Sequence, residues 1–313
     1  MARLPFLCMF RYSVIGKFGI KAIHPIWFAW IREVSATPIL VFLAWWFEHR
    51  NAPKSGDDAS ASSRVMPQWS DLPSFLLLGL TGIFGNQLFF ILGLSRSPSI
   101  TAAVIQPIAP IWTILIALAL KMEAITMNKV AGIACAVFGS LVTLGFFNLQ
   151  ATHLGFGAIF FLLNTACMGA YFLFQKPVLK RFPPITTTAT AYLIGACMMT
   201  ITAVIFQLAG HLTPLTQEAM GRALLPLIYT ILGPSVGTYL LIAYANTKLD
   251  STLVSASKTL QPLSAAVLAY LLLGERLMAQ HAIGAVFLAA GMAVLMAESK
   301  PFSSAAIVKE RDT

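Results

Sequence analysis

Two stretches of the chain carry the same pattern 152 positions apart. Residues 99–123 read SITAAVIQPIAPIWTILIALALKME, and residues 251–275 read STLVSASKTLQPLSAAVLAYLLLGE. Each is apolar and long enough to cross a bilayer as one helix, which takes about 20 residues. Pro110 and Pro262 fall near the middle of their stretches. The chain therefore contains two related apolar helices, each interrupted by a proline.

The correspondence extends beyond these stretches. At the same offset, residues 80–142 align with residues 232–294 without a gap. Identities among Leu and Ala are weak evidence in so apolar a chain. The repeat is therefore supported mainly by matching glycines, prolines and glutamates. These pairs are Gly85 and Gly237, Pro110 and Pro262, Glu123 and Glu275, Gly132 and Gly284, and Gly139 and Gly291. Self-similarity at a fixed offset indicates a duplicated structural unit.

The composition excludes several classes of protein. Of the 313 residues, 58% are hydrophobic and 11% are charged, whereas average soluble domains are about 25% charged. A soluble enzyme, a disordered protein and a secreted disulfide scaffold are therefore excluded. None of the five histidines and four cysteines is spaced as a metal-ligand pair. We expect no catalytic residue, no metal, no cofactor and no nucleic-acid partner, and we interpret the net charge of +9 as loop charge.

Hydropathy and helix-breaking residues predict an all-α membrane protein with ten spans. They cover residues 4–22, 26–47, 73–94, 99–120, 128–147, 154–176, 185–209, 223–245, 251–273 and 278–298. We predict one five-helix repeat over residues 1–150, a second over 151–299, and a cytoplasmic tail over 300–313. Because five is odd, the second copy enters the membrane from the opposite side. Inverted repeats of this kind are typical of secondary transporters.

The distribution of basic residues predicts the orientation in the bilayer. Thirteen Lys and Arg residues fall in the loops and ends on one side, and four fall on the other, namely Lys21, Arg96, Arg222 and Arg276. Basic loops remain cytoplasmic, so both termini are predicted to be cytoplasmic.

The first span departs from the repeat. Lys17, Lys21 and Pro25 match Lys176, Lys180 and Pro184 at an offset of 159, which leaves the first span seven residues short of the sixth. Either the start of the chain is truncated, or the first helix is short and thins the bilayer locally.

The order and duplication of these motifs resemble the EamA-like family of the drug/metabolite transporter superfamily. The motifs are Pro110, Glu123 and Gly132, and their repeat Pro262, Leu273-Gly274-Glu275-Arg276 and Gly284. Residues 28–38, which include Arg32, are similar to the second helix of EamA-like carriers and plant amino-acid exporters. The resemblance covers residues 12–298 and implies a ten-helix bundle with a central cavity. Two departures are Met9-Phe10-Arg11, where relatives carry a small pair such as Trp-Gly, and Lys121-Met122-Glu123, where Leu-Gly-Glu is usual.

Family members move amino acids, nucleotide sugars, sugar phosphates, polyamines or drugs. The resemblance implies a secondary transporter, an exporter or facilitator, for small polar metabolites such as amino acids or organic anions, working by alternating access. A sugar-phosphate or nucleotide-sugar antiporter is an alternative, although it needs a denser cationic site than Lys258 offers. A non-transporting membrane scaffold derived from a carrier is another. A membrane enzyme would need Asp, His or Glu clustered at one membrane face, which the sequence lacks.

The prolines predict where the substrate binds. A proline cannot donate to the carbonyl four residues earlier, and it kinks the helix there. The freed carbonyls fall at repeat-equivalent positions: Gln106 and Lys258 for Pro110 and Pro262, and Ala103, the equivalent of Ser255, for Pro107. Unpaired backbone at membrane depth is tolerated only against water, protein or ligand. These kinks therefore predict a midplane binding site; the alternative is that neighbouring helices satisfy the carbonyls by packing.

Charged residues within the spans have two interpretations each. The Lys258 ammonium either attracts a carboxylate or phosphate of the substrate, or extends to the headgroups. Arg32 either faces the cavity or bridges to another helix. Glu33 either neutralises Arg32 in a structural ion pair or binds a proton.

Further polar and aromatic side chains are candidates to line the cavity. They are Asn86 and Gln87 in the third span, Trp112 in the fourth, Asn164 and Tyr171 in the sixth, and Tyr239 and Tyr244 in the eighth. Gln87 and Tyr239 are repeat-equivalent. For each residue alone, hydrogen bonding between helices is the alternative. Glu123 and Glu275 close their spans on opposite faces and are candidates for gate or boundary electrostatics, while Gly132, Ala136 and Ser140 predict close helix packing.

Overall fold

The computed structural model describes residues 19–50, 67–97, 99–122, 126–143, 156–263 and 279–298. These residues form helices, and no strand occurs among them. Outside the described residues lie most of the first predicted span (4–18), the end of the ninth (264–273), the glutamates Glu123 and Glu275, and the tail over residues 300–313.

Nine helices are labelled here in chain order within the described ranges. They are α1 (Pro25–Arg50), α2 (Trp69–Arg96), α3 (Ser99–Ile105, Gln106–Ile108 and Ala109–Leu120), α4 (Met127–Thr143), α5 (Gly157–Leu179), α6 (Pro184–Leu208), α7 (Gln217–Lys248), α8 (Ser251–Ala256 and Ser257–Leu260, continuing to 263) and α9 (Ala279–Glu298). Helices α1 to α7 and α9 coincide with the second to eighth and the tenth predicted spans to within six residues, and α8 coincides with the ninth as far as the described residues reach, at 263.

The helices have the length and surface of membrane spans. Six helices are long and apolar enough to cross a bilayer, namely α1, α2, α5, α6, α7 and α9. Two shorter apolar helices are α4 and the Gln106–Leu120 part of α3. Large apolar side chains such as Ile201, Ile205 and Leu208 of α6 are exposed on the surface of the bundle. Exposed apolar surface of this extent is favourable against lipid and costly against water.

Repeat-equivalent helices pack against each other. The Thr37 hydroxyl of α1 lies 3.5 Å from the Tyr192 carbonyl oxygen of α6. The Cys135 thiol of α4 donates to the carbonyl oxygen of its own repeat equivalent, Phe287 of α9, at 3.3 Å. The two copies are therefore interleaved, helix against equivalent helix, and do not form two separate bodies side by side.

The contact between α4 and α9, termed here the glycine seam, brings the two backbones together. A Cβ atom on Gly139 would lie 2.7 Å from the Leu288 nitrogen and 2.8 Å from the Gly284 oxygen. One on Gly132 would lie 3.1 Å from the Gly291 oxygen. Because Gly132 meets Gly291 while Gly139 meets Gly284, the helices run antiparallel and the contact maps onto itself when the copies are exchanged. Only glycine permits this approach.

Candidate functional site

The helices α3 and α8 are interrupted at equivalent positions. The α-helix of α3 gives way to a 3-10 turn over Gln106–Ile108, and that of α8 to a 3-10 turn over Ser257–Leu260. The two turns pack against each other. Prolines within or just after these turns remove backbone donors, so the α-helical hydrogen-bond pattern cannot continue through them. Gln106 and Lys258 thus lie in two turns, one from each copy, that contact each other.

Gln106 begins a buried network of amides. Its Nε2 donates to Asn164 Oδ1 at 2.7 Å. Asn164 Nδ2 donates to the Asn86 carbonyl oxygen at 2.6 Å, and Asn86 Nδ2 donates in return to the Asn164 carbonyl oxygen at 3.4 Å. These bonds join α3, α5 and α2. Each amide is satisfied by another, so the network holds the three helices in register.

Gln87 and Tyr239 extend the network to α7. Gln87 Nε2 donates to the Tyr239 hydroxyl at 3.2 Å, so two repeat-equivalent residues bind each other directly. The Tyr239 hydroxyl donates to the Gly82 carbonyl oxygen at 2.5 Å and lies 3.2 Å from Asn86 Oδ1. The candidates Gln106, Asn86, Gln87 and Tyr239 therefore belong to one connected cluster.

The residues that lead to this cluster are π-helical in both copies. The π segments are Gly79–Gly85 in α2 and Ile231–Thr238 in α7, which start at the same repeat position. We did not predict them from the sequence. The available signal was the close spacing of helix-weakening residues, namely Gly79, Gly82 and Gly85, and Gly233, Pro234 and Gly237. Short π segments inside α-helices occur frequently at functional sites.

Three tyrosine rings pack beside the network. Tyr239 makes edge-to-face contacts with Tyr171 at 5.8 Å and with Tyr192 at 5.2 Å between ring centroids. A Cβ atom on Gly82 would lie 2.1 Å from Tyr171 Cδ2, so the Tyr171 ring rests on bare backbone. The Tyr171 hydroxyl accepts a hydrogen bond from Gln175 Nε2 at 2.8 Å. The candidate Tyr171 thus lies beside the polar cluster, in contact with Tyr239.

Lys258 lies in the 3-10 turn of α8 and is 5% exposed. Its ammonium nitrogen is 5.8 Å from the centroid of the Phe172 ring of α5. Within the described part of the chain it makes no hydrogen bond or ion pair. A desolvated cation–ring contact contributes about 2 kcal/mol, whereas burying an unpaired ion costs several kcal/mol. One turn earlier, Ser255 accepts a hydrogen bond from the Thr113 hydroxyl at 2.8 Å.

Arg32 and Glu33 form a pair in α1, apart from the bonds of the network. Both side chains are fully buried, and Arg32 Nη2 lies 4.0 Å from Glu33 Oε1. Adjacent helical side chains diverge by about 100°, which prevents a closer contact. Among the described residues, the Glu33 carboxylate oxygens accept no hydrogen bond. The geometry is that of an ion pair between neighbours, and a proton-binding role for Glu33 stays a prediction.

An acidic residue that we did not select from the sequence links three helices at one end of the bundle. Asp250, which precedes α8, is 3.1 Å from Lys129 Nζ of α4 and 3.2 Å from Lys176 Nζ of α5. The neighbouring Ser251 and Asn246 donate to the Phe172 carbonyl oxygen at 2.9 and 2.7 Å. The turn between α7 and α8 is therefore fastened to α5.

One expected member of the site lies elsewhere. We expected Tyr244 to form an aromatic wall with Trp112, but its side chain is 60% exposed on the outer surface of α7. Tyr239 occupies the inner face of the same helix, and five residues turn a helix by about 140° beyond one full turn. Tyr244 is therefore excluded from the cluster.

Taken together, the interleaved apolar helices, their equivalent interruptions and the polar cluster between them define a membrane protein with the architecture of secondary transporters. A model of the EamA-like transporter family matches residues 2–145 and again residues 155–297. The chain belongs to this family.

Proteins of similar sequence agree with this assignment. A WAT1-related protein of Arabidopsis thaliana is 24% identical over 92% of this chain and 78% of its own length. An uncharacterized transporter of Archaeoglobus fulgidus is 27% identical over 88% and 89%. A probable terminal-alkyne amino-acid exporter of Streptantibioticus cattleyicolor is 27% identical over 67% and 68%. One crystal structure superimposes with a TM-score of 0.66 at 16% identity, covering 93% of this chain and 97% of that one, which shows the fold alone.

Proposed function

We propose that this protein is a secondary transporter that moves small polar metabolites, such as amino acids or organic anions, by alternating access. The observation that carries the proposal is the buried network of Gln106, Asn164, Asn86, Gln87 and Tyr239. Polar side chains at membrane depth are costly and mark substrate pathways. Here they lie where the equivalent helices of the two copies meet, which is where carriers with inverted repeats place their substrate.

The same proposal includes ten spans in two inverted five-span repeats, with both termini cytoplasmic. The antiparallel glycine seam supports the inversion, because helices related by a two-fold axis in the membrane plane must run in opposite directions. The basic residues of the loops support the orientation. Insertion of a glycosylation site after Gly56 tests the orientation. Glycosylation at that site would show that this loop, and with it both termini, lies on the side opposite the cytoplasm.

The family relatives support transport as the activity and leave open the substrate. One relative is named as a probable amino-acid exporter, and this name motivates amino acids as the first substrates to test. A sugar-phosphate carrier is less well supported, because Arg32 and Lys258 are the buried basic side chains within the middle of the described spans, and Arg32 is already beside Glu33.

Counterflow tests the proposal directly. The purified protein is reconstituted in liposomes loaded with an unlabelled mixture of amino acids, and uptake of each radiolabelled amino acid and of malate is measured. We expect uptake above that of empty liposomes for at least one compound, and a loss of most of it in Gln106→Leu. The exposed Gln207→Leu is the matched control and should transport normally. Absence of counterflow for every compound would favour the non-transporting scaffold.

A further inference from the structure

One face of α5 connects the centre of the bundle with its charged end. Gly169, Phe172 and Lys176 are spaced by three and four residues, so they lie on the same side of the helix. Lys176 forms an ion pair with Asp250 at one end of this face. One helical turn before Lys176, the Phe172 ring contacts the Lys258 ammonium. The face therefore presents two cations in succession along the interior of the bundle.

At Gly169 the same face meets α3. A Cβ atom on Gly169 would lie 3.0 Å from Trp112 Cβ, so the absence of a side chain there lets Trp112 approach α5. The indole nitrogen of Trp112 is buried and has no hydrogen-bond partner among the described residues. An indole N–H is a donor only. The bond between Thr113 and Ser255 holds α3 and α8 together at this level.

Both polar groups at this face are therefore hydrogen-bond donors. The Lys258 ammonium offers donors and a positive charge, and the Trp112 indole offers a donor, while neither is paired with an acceptor in the described part of the chain. A ligand group that consists of acceptors and carries one negative charge complements both. A carboxylate meets this requirement with two oxygens. A phosphate carries more charge and is usually bound by several cations or by backbone amides, which these residues do not supply.

We propose that Lys258 and Trp112 bind the carboxylate of the transported metabolite, with Lys258 supplying the charge and Trp112 a directional hydrogen bond. This proposal rests on the proposed function, since it specifies the substrate class of that site. Carboxylates, including those of amino acids, are bound, and the corresponding amides are not.

Ligand-induced stabilisation tests binding independently of transport. The protein in detergent is heated with L-leucine, L-phenylalanine or malate, and in parallel with L-leucinamide, L-phenylalaninamide or malamide. We expect at least one carboxylate to raise the unfolding temperature while its amide does not. In Lys258→Met the concentration for half-maximal stabilisation should rise roughly tenfold or more, because the buried charge pair is lost. Lys258→Arg retains the charge and should bind more tightly than Lys258→Met.

Two further variants keep the test decisive if Lys258→Met fails to fold. Trp112→Phe removes the indole N–H and keeps a ring, and it should weaken carboxylate binding by a smaller factor. Lys248→Met makes the same substitution at an exposed lysine of α7 and should change nothing. Equal stabilisation by carboxylates and amides, or unchanged carboxylate binding in Lys258→Met or in Trp112→Phe, would overturn the assignment.

The two proposals fail in different ways. Carboxylate binding that depends on Lys258 without any counterflow leaves the site intact and refutes transport. Counterflow of carboxylates that is equally efficient in wild type and Lys258→Met leaves the carrier intact and refutes this site. Counterflow restricted to uncharged compounds likewise refutes it.

Discussion

Two contacts between repeat-equivalent helices differ completely in character. In the glycine seam, α4 and α9 touch backbone to backbone, and Gly132, Gly139, Gly284 and Gly291 leave no room for a side chain. Between α3 and α8, both helices are interrupted by 3-10 turns, and the Thr113 hydroxyl donates a hydrogen bond to Ser255 across the contact. The same internal symmetry thus produces one close-packed seam and one polar centre.

The difference follows from what each residue does to the backbone. Glycine leaves the helical hydrogen bonds intact and brings carbonyls of the partner helix within van der Waals distance, so the seam is closely packed. Proline removes a donor, and the freed groups must be satisfied by other means. The seam therefore holds the copies together, and the interrupted pair supplies the groups that can bind a ligand.

The interrupted pair is also where the two copies differ in side-chain chemistry. Gln106 is satisfied by Asn164 at 2.7 Å, whereas its equivalent Lys258 contacts the Phe172 ring. Equivalent positions thus hold a hydrogen-bonded amide in one copy and a lysine in the other. The symmetric scaffold therefore carries an asymmetric pair of side chains.

The largest expected effect is on the glycine seam. Gly139→Ala places a methyl group against the backbone of α9, and overpacking of this kind typically costs about 1–3 kcal/mol or more. The same substitution at Gly221, whose Cβ would meet no atom within 4 Å, should stabilise α7 by about 0.5–1 kcal/mol. Thermal unfolding in detergent measures both. If Gly139→Ala is as stable as wild type, the seam is not close-packed.

An intermediate effect is expected in the polar centre. Tyr239→Phe removes the hydroxyl that accepts from Gln87 and donates to Gly82. Hydrogen bonds between membrane helices average about 0.6 kcal/mol, with values up to about 1.7, so the loss of these two bonds should cost about 1 kcal/mol and should reduce counterflow. Tyr244→Phe, on the exposed face of the same helix, is the matched control. Equal behaviour of the two variants would show that the network does not stabilise the centre.

The smallest effect is expected at the charged end. Asp250→Asn removes the partner of Lys129 and Lys176, and because Asp250 is 24% exposed, solvent reduces each pair to about 0.2–1 kcal/mol. The loss should shrink at high salt. Glu218→Gln breaks the exposed pair with Arg222 and serves as control. A stability loss for Asp250→Asn that does not depend on salt would indicate that Asp250 acts through the backbone and not through its charge.

The comparison also shows where sequence reasoning succeeds. The spans and the interruptions at Gln106 and Lys258 could be predicted because proline and hydropathy act locally. The hydrogen bond between Gln87 and Tyr239 is consistent with their equivalent positions in the two repeats, since residues related by an internal two-fold axis approach each other near that axis. The π segments and Asp250 were missed, because glycine spacing permits several helical forms and a loop carboxylate has no periodicity.

Hydrophobic length and internal repetition are properties of the chain, and they suffice to predict a helical membrane protein built from two related units. The interleaving of the units and the seam of four glycines became visible in the folded molecule alone. The contact of Lys258 with the Phe172 ring and the hydrogen bond from Gln106 to the Asn164 amide likewise depend on the tertiary structure. These choices depend on which helix faces come together, and packing over long separations in the chain settles them.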